Sequence, residues 1–410
     1  MLSKIQSIDG IDVSGKTVIL RIDINSSVRD GTIIKGPKIL EHSKTIRLLS
    51  EKGAKIVVLS HQGREGKPDF ISLEPHYAAL KEIVGEIEKT NVFFAKWSED
   101  YLGKIKSLKN GEVLLLDNTR FLDFESKELT PEEHAKNPVI KNLASAANIF
   151  VLDALSVAHR SHATVVGFIP LLPSYAGYYL MEVLNALKQT EEVKNNICLV
   201  LGGLKPEDSL EVMTRMLKEN RAKSVLLGGI LGELALKAKG NALGAKEVFL
   251  EQKDLNKFVP QLKKLLDIYG ARIFIPSDLA VEKRGKRREI PIEKLPTDYM
   301  IYDVGHHTIN HYCEQIENAA LVIYNGPFGV FENYQFATGT KEVLDCLKEH
   351  SAFSLIGGGD TVTALLTLGF RKKNFSHVSL AGKALLQYLA GEELPGITAL
   401  AHKALVQKAV

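Results

Sequence analysis

No stretch of this 410-residue chain approaches the roughly 18 uninterrupted apolar residues that a membrane-spanning helix requires. Neither a membrane protein of helices nor a membrane partner is expected. Cysteine is scarce, with only Cys198, Cys313 and Cys346. They lie far apart without metal-ligand spacing, and an odd number of them behind no signal-like start points to a reducing, cytoplasmic setting. Charge of one sign is also missing. Lys and Arg number 52 against 49 Asp and Glu, for a net charge of +3, and there is no basic tail, so nucleic acid is not an expected partner. The one dense basic run, Glu282-Lys283-Arg284-Gly285-Lys286-Arg287-Arg288, reads as a solvated loop. No G-x-G-x-x-G occurs, which leaves a dinucleotide site without support. Gly10 to Thr17 matches G-x-x-x-x-G-K-T letter for letter. It leads into the strand-like Val18-Ile19-Leu20 where a phosphate-binding loop would open a helix, and is read as a chance match.

What remains is ordinary and ample. With 45% hydrophobic and 25% charged residues, the chain is too long for one core, and two domains are expected. Short apolar runs read as strands over residues 17–24, 55–60, 92–94, 113–116 and 149–152. Helical patterns lie between them, starting near Pro37, near Leu73, and at Thr130-Pro131-Glu132-Glu133, a capping box with proline at the first helical position. After Pro170-Leu171-Leu172-Pro173 comes an amphipathic segment from Ser174 to about Gln189. A second set of strands then occupies 197–201, 224–227, 272–275, 300–302, 321–324 and 353–356. Short buried strands alternating with helices predict parallel sheet covered on both faces. The fold class is α/β: two doubly wound, Rossmann-like domains joined by a helical hinge. The expected boundaries are 1–172 for the first domain and 173–394 for the second, with a final helix over 395–410 packing back on the first.

The ends of the strands carry the chemistry. In Ser354-Leu355-Ile356-Gly357-Gly358-Gly359-Asp360-Thr361 a strand ends in glycines and a helix follows, a geometry that brings backbone N–H groups and the positive end of a helix to a phosphate. Asp360 stands where magnesium could be held, although a plain N-cap fits the same letters. Similar turns occur at Leu201-Gly202-Gly203-Leu204-Lys205-Pro206, at Gly228-Gly229 and at Asn325-Gly326-Pro327-Phe328-Gly329-Val330-Phe331-Glu332. Recurring beside Lys205 and Asp360, they suit a nucleotide with its magnesium. The first half instead ends its strands in Arg21-Ile22-Asp23-Ile24-Asn25, Ser60-His61-Gln62-Gly63-Arg64, Asp117-Asn118-Thr119-Arg120 and Asp153 to His162. Because the carboxyl ends of parallel strands face the ligand crevice, His61, Arg64, Arg120 and Arg160 should converge there. Guanidinium forks bind phosphate and carboxylate alike. The histidines lack the companions of metal ligands, and phosphate hydrogen bonding suits them better.

These strings, collinear over nearly the whole chain, resemble phosphoglycerate kinases, and Ser-His-Gln-Gly and Glu207-Asp208-Ser209-Leu210 are similar to archaeal members. The resemblance implies a reversible, magnesium-dependent phosphoryl transfer from ATP to the carboxylate of 3-phosphoglycerate, giving ADP and 1,3-bisphosphoglycerate, in glycolysis and gluconeogenesis. It implies that Asp23, Asn25, His61, Arg64, Arg120 and Arg160 bind the acid. Gly202, Gly203, Lys205, Asn325, Pro327, Glu332, Gly357, Gly358, Asp360 and Thr361 would bind the nucleotide, with Asp360 on the metal. A monomer or small homo-oligomer is expected. Three departures stand out. The family's catalytic arginine is Lys38 here, its second lysine beyond Lys205 is Ser209, and its Ser-Thr-Gly-Gly-Gly-Ala is Ser379-Leu380-Ala381-Gly382-Lys383-Ala384. Lys38, Lys205 and Lys383 are therefore the candidate catalytic cations. The alternative is a nucleotide- and anion-binding sensor that kept the fold without the chemistry.

Overall fold

The computed structural model describes residues 2–29, 32–88 and 90–407. The chain forms two compact units, Met1–Asn185 with Glu393–Val410, and Ala186–Glu392.

In the first unit six parallel strands stand in the order β3-β4-β2-β1-β5-β6. They are β1 Thr17–Arg21, β2 Lys55–Leu59, β3 Val92–Ala95, β4 Val113–Leu116, β5 Ile149–Leu152 and β6 Ser174–Ala176. Val18 and Leu20 of β1, Ile56 and Val58 of β2 and Val151 of β5 lie in one core with Ile39, Ile46 and Leu49 of α1 (Pro37–Glu51) and Leu80 and Val84 of α2 (Glu74–Glu88). Strands sealed on both faces need no polar alternation, which is why they read as unbroken apolar runs. At β6 the sequence reading is corrected. Residues 174–176 pair with β5 as a short strand, and the helix starts only at Tyr178 (α3, Tyr178–Glu192). The division between the units falls inside this helix rather than at the prolines before it.

The second unit repeats the plan with all-parallel order β9-β8-β7-β13-β14-β15. Its strands are β7 Ile197–Leu201, β8 Ala222–Leu227, β9 Ile273–Phe274, β13 Leu321–Asn325, β14 Phe353–Gly357 and β15 His377–Ser379. A small antiparallel sheet is built from β10 Asp278–Lys283, β11 Lys286–Pro291 and β12 Ile301–Val304. The basic run expected as a solvated loop is the tip of this sheet: Arg284 and Gly285 turn with φ of 56° and 73° between β10 and β11. Arg287 points inward and donates to the buried carboxylate of Asp303 at 2.8 Å. The helices that matter below are α4 Pro206–Lys218, α5 Gly229–Ala238, α6 His306–Glu317, α7 Thr338–Glu349, α8 Gly359–Thr367, α9 Lys383–Leu389 and α10 Pro395–Gln407. Helix α10 belongs to the first unit, and residues 408–410 of the expected final helix lie outside the described residues.

The cysteine reading also changes. Helices α6 and α7 bring Cys313 and Cys346 together as a disulfide with Cα atoms 5.8 Å apart, while Cys198 is free and buried. A separation of 33 residues leaves no linear pattern from which that pairing could be read. Among the described residues no helix is long and apolar enough to cross a membrane.

The Walker-like letters lie in the turn before β1, where Lys16 donates its ammonium to the carbonyl of Asp12 at 2.8 Å. Lys16→Ala should therefore leave nucleotide affinity and turnover within about threefold. Loss of ATP binding in a calorimetric titration of that variant would return the motif to the function.

Candidate active site

In the first unit the site is assembled from the loops that follow β1, β2, β4 and β5 and from the first turn of α1. Proline at the first helical position starts α1, and Lys38 follows it. Its ammonium reaches Asp23 at 2.6 Å, and Ser156 donates to the same carboxylate oxygen at 2.5 Å. Burial alone would push the Asp23 carboxyl up. Lys38, by its charge and its hydrogen bond, together with the Ser156 hydroxyl, outweighs it and holds that group well below the usual carboxylate range. Asn25 accepts from the backbone of Gly63 at 2.9 Å, and Asn118 stitches the same loop to β4 by bonds to both backbone groups of Gln62.

The cations converge as the strand ends require. Arg120 donates to the carbonyl of Gly63, and burial followed by the charges of Arg160, Arg21 and Arg64 pulls its guanidinium down to about 10. Arg160 is lowered by burial and then by Arg64, and it donates to His159 at 3.0 Å. His61 is buried, and that burial sets its pKa well below the ordinary imidazole value; Asp23 opposes the shift, while Arg21, Arg120 and Lys38 add to it. Cations held this near one another favour an anion among them. Of the predicted arginines Arg64 is exposed, while Arg120 and Arg160 are half-buried.

A layer beneath was not among the predicted site residues. Arg21, buried, donates to Thr164 at 2.9 Å, lies 3.9 Å from Glu125 and touches Nδ1 of His61 at 3.4 Å. Glu125 in turn accepts from both the backbone and hydroxyl of Thr164. An arginine closing an apolar strand was the available signal for this layer; Glu125 and Thr164 carry none in sequence.

In the second unit the glycine turns interlock. The carbonyl of Asn325 accepts from Gly202 at 2.9 Å, and that of Pro327 from Gly203 at 2.8 Å. Gly326 has φ of 88°, and a Cβ there would sit 2.3 Å from the backbone of Gly202, so only glycine fits. Asn325 also donates to the carbonyl of Gly357 at 2.8 Å, and buried Thr361 accepts from the backbone of Gly326 at 2.8 Å. Thr361 and Asn325 thus shape the turn from within, while Lys205, Glu332 and Asp360 stand exposed around it. Lys205 caps α4, Gly358 caps α8 and Gly382 caps α9, so three helix N-termini open near these turns. Lys383 begins α9 with its side chain 55% exposed and 3.3 Å from Asp208. Ser209, one residue on, is buried.

Among the described residues no group of three or more His, Cys, Asp or Glu side chains could hold a metal alone. A magnesium ion at Asp360 would take its remaining oxygens from phosphate and water, which is how that ion usually binds with a nucleotide.

Residues 8–392 match the family model described as phosphoglycerate kinase. The phosphoglycerate kinase of Methanopyrus kandleri is 39% identical over 98% of each chain, and that of Archaeoglobus fulgidus 37% identical over 96% of each. The crystal structure of phosphoglycerate kinase from Pyrococcus horikoshii superposes with a TM-score of 0.92 at 35% identity, covering 98% of this chain and all of that one. With a cationic cluster at the strand ends of one unit and interlocked glycine turns at those of the other, the chain belongs to the phosphoglycerate kinase family.

Proposed function

We propose that the chain moves a phosphoryl group between ATP and the carboxylate of 3-phosphoglycerate, with the acid held by the first unit and the magnesium nucleotide by the second. The observation that carries this reading is the cluster of Arg21, Lys38, Arg64, Arg120 and Arg160 against few carboxylates, beside His61 that burial keeps neutral. It offers forks for a phosphate and a point charge for a carboxylate. Asp23 and Asn25 complete the acid site as acceptors for its hydroxyl and as anchors for Lys38 and Gly63.

A carboxylate is already ionised at neutral pH, so it attacks without a general base. Catalysis then consists of positioning and of neutralising charge on the migrating group. Lys38 supplies charge from the acid side, and Lys205 with the backbone N–H groups after Gly202 from the nucleotide side. Asp360 would hold the magnesium ion of the nucleotide, which would supply positive charge against the phosphates. Glu332, exposed on the loop after Pro327, suits the ribose hydroxyls. Transfer requires the two ligands to meet with water excluded, or ATP would hydrolyse; hinge closure supplies both. The setting we assign is cytoplasmic, on the family's activity and not on the cysteines, since Cys313 and Cys346 are paired. No observation favours the sensor without chemistry. ADP release measured by a coupled assay should require 3-phosphoglycerate, and glycerate, which lacks the phosphate, should not replace it; release indifferent to the acid would overturn the assignment.

Lys383 is the third cation of this scheme. It opens α9, whose cap Gly382 lies against Gly358, and so borders the turn that begins α8. Pairing with Asp208 at an exposed position holds it loosely. If it replaces the charge that Ser209 lacks, Lys383→Gly lowers kcat by about tenfold to a thousandfold with little change in KM. Adding Ser209→Lys to that variant should restore part of the rate, and wild-type turnover in the single variant would return Lys383 to the solvent.

A further inference from the structure

Below the cationic cluster two fully buried groups face each other. His42 lies on α1 one turn beyond Lys38, and its Nδ1 stands 3.6 Å from Oδ2 of Asp153, the residue that follows β5. The other oxygen of Asp153 accepts from the backbone N–H of Leu180 at 2.8 Å, in the first turn of α3. The His42 ring meets Tyr179 edge-on, with centroids 5.1 Å apart. Gly177 permits the approach, since a Cβ there would lie 2.4 Å from the Asp153 carboxyl. Asp153 also donates its own N–H to the carbonyl of Arg21 at 2.9 Å. One residue thus touches the helix that carries Lys38 and the start of the helix on which the chain leaves the first unit through its carboxylate, and the strand that leads to Asp23 through its backbone.

A buried carboxylate is costly unless paired and hydrogen-bonded, and an apolar pair of similar volume would serve stability as well. Neither Oδ2 of Asp153 nor Nδ1 of His42 has a closer hydrogen-bonding partner among the described residues, and 3.6 Å is a few tenths beyond bonding distance. Residues i and i+4 share a helix face, so a small displacement of α1 at Lys38 is carried to His42 and can close this contact into a charge-assisted hydrogen bond.

We propose that His42 is a positioning residue for the phosphoryl transfer: through Asp153 it ties the first turn of α3 to the helix bearing Lys38, so that capture of the acid is felt where the connecting helix begins. The proposal rests on the phosphoglycerate kinase reading.

Its test uses the full chain as wild type, His42→Leu and His42→Gln. With the acid contacts of Lys38 intact, His42→Leu should lower kcat by about tenfold to a hundredfold while KM for 3-phosphoglycerate stays within about threefold. Glutamine keeps a side-chain donor and should recover most of the rate. A purely structural histidine would lower Tm in the leucine variant and leave kcat unchanged below the melting range. Hydrogen exchange asks the same of the wild type without any substitution: 3-phosphoglycerate alone should slow exchange across residues 178–184 several-fold, on the order of 1 kcal/mol of local stability or less per about fivefold. Turnover of His42→Leu within twofold of wild type, or wild-type exchange at that segment indifferent to the acid while calorimetry shows it bound, would overturn the tie. A wild type that neither binds nor phosphorylates the acid would overturn the functional reading itself.

Discussion

Lys38→Ala should lower kcat by about a hundredfold to a thousandfold, more than any other single change in the acid site. In the function proposed, Lys38 takes the part of the family's catalytic arginine and brings a compact point charge instead of a planar fork. Its contact with Asp23, at 2.6 Å, and the donation of Ser156 to the same oxygen keep the ammonium aimed from the first turn of α1. The substitution also leaves Asp23 buried with less to compensate it. A carboxyl with a depressed folded pKa lends stability that is present above its unfolded value and lost as pH falls through the folded one. Burial raises the Asp23 carboxyl and Lys38, first among its neighbours, lowers it, so alanine should move the acid loss of stability toward higher pH. Lys38→Arg separates the two effects, because it keeps the charge and restores the family's fork. Steady-state kinetics with thermal melts at pH 4 to 8 would measure both. Unchanged kcat in Lys38→Ala would remove this residue from the mechanism.

Asp360→Asn should raise KM for the magnesium nucleotide by about tenfold or more and leave affinity for 3-phosphoglycerate nearly unchanged. Asp360 is exposed in the first turn of α8, next to Thr361, whose hydroxyl is spent on the backbone of Gly326. Asparagine keeps the size and any capping role and removes only the hard anionic ligand. Arg64→Ala or Arg160→Ala should show the mirror image, with the acid weakened first. Calorimetry of each ligand alone on the variants distinguishes the cases; equal losses for both ligands in Asp360→Asn would make the residue structural.

Much of this was legible in the residues. The parallel strands announced themselves because burial on both faces leaves runs such as Val113 to Leu116 and Ile197 to Leu201 wholly apolar. The cationic cluster proposed for the acid was legible because charged side chains after parallel strands gather at one edge of the sheet. What escaped depends on contacts distant in the chain. The three residues of β6 are a strand through their pairing with β5 and a bridge from Ala176 to Ser7, and Gly177 alone marks in the sequence where they end and the helix begins. Arg287 looks like any residue of a basic loop until Asp303 is brought beneath it. The pairing of Cys313 with Cys346 depends on how α6 packs on α7, and the Arg21, Glu125 and Thr164 layer on three separate segments of the chain.

The most direct measurement of the central claim is to trap the product. An acyl phosphate gives up its phosphoryl group more readily than ATP and so accumulates little; with hydroxylamine added to magnesium ATP and 3-phosphoglycerate, the enzyme should form hydroxamate and inorganic phosphate in equal amounts with ADP, both followed by phosphorus NMR. Both signals should vanish when either substrate is left out. Inorganic phosphate released from ATP in the absence of hydroxylamine, or a hydroxamate that forms without 3-phosphoglycerate, would contradict the account.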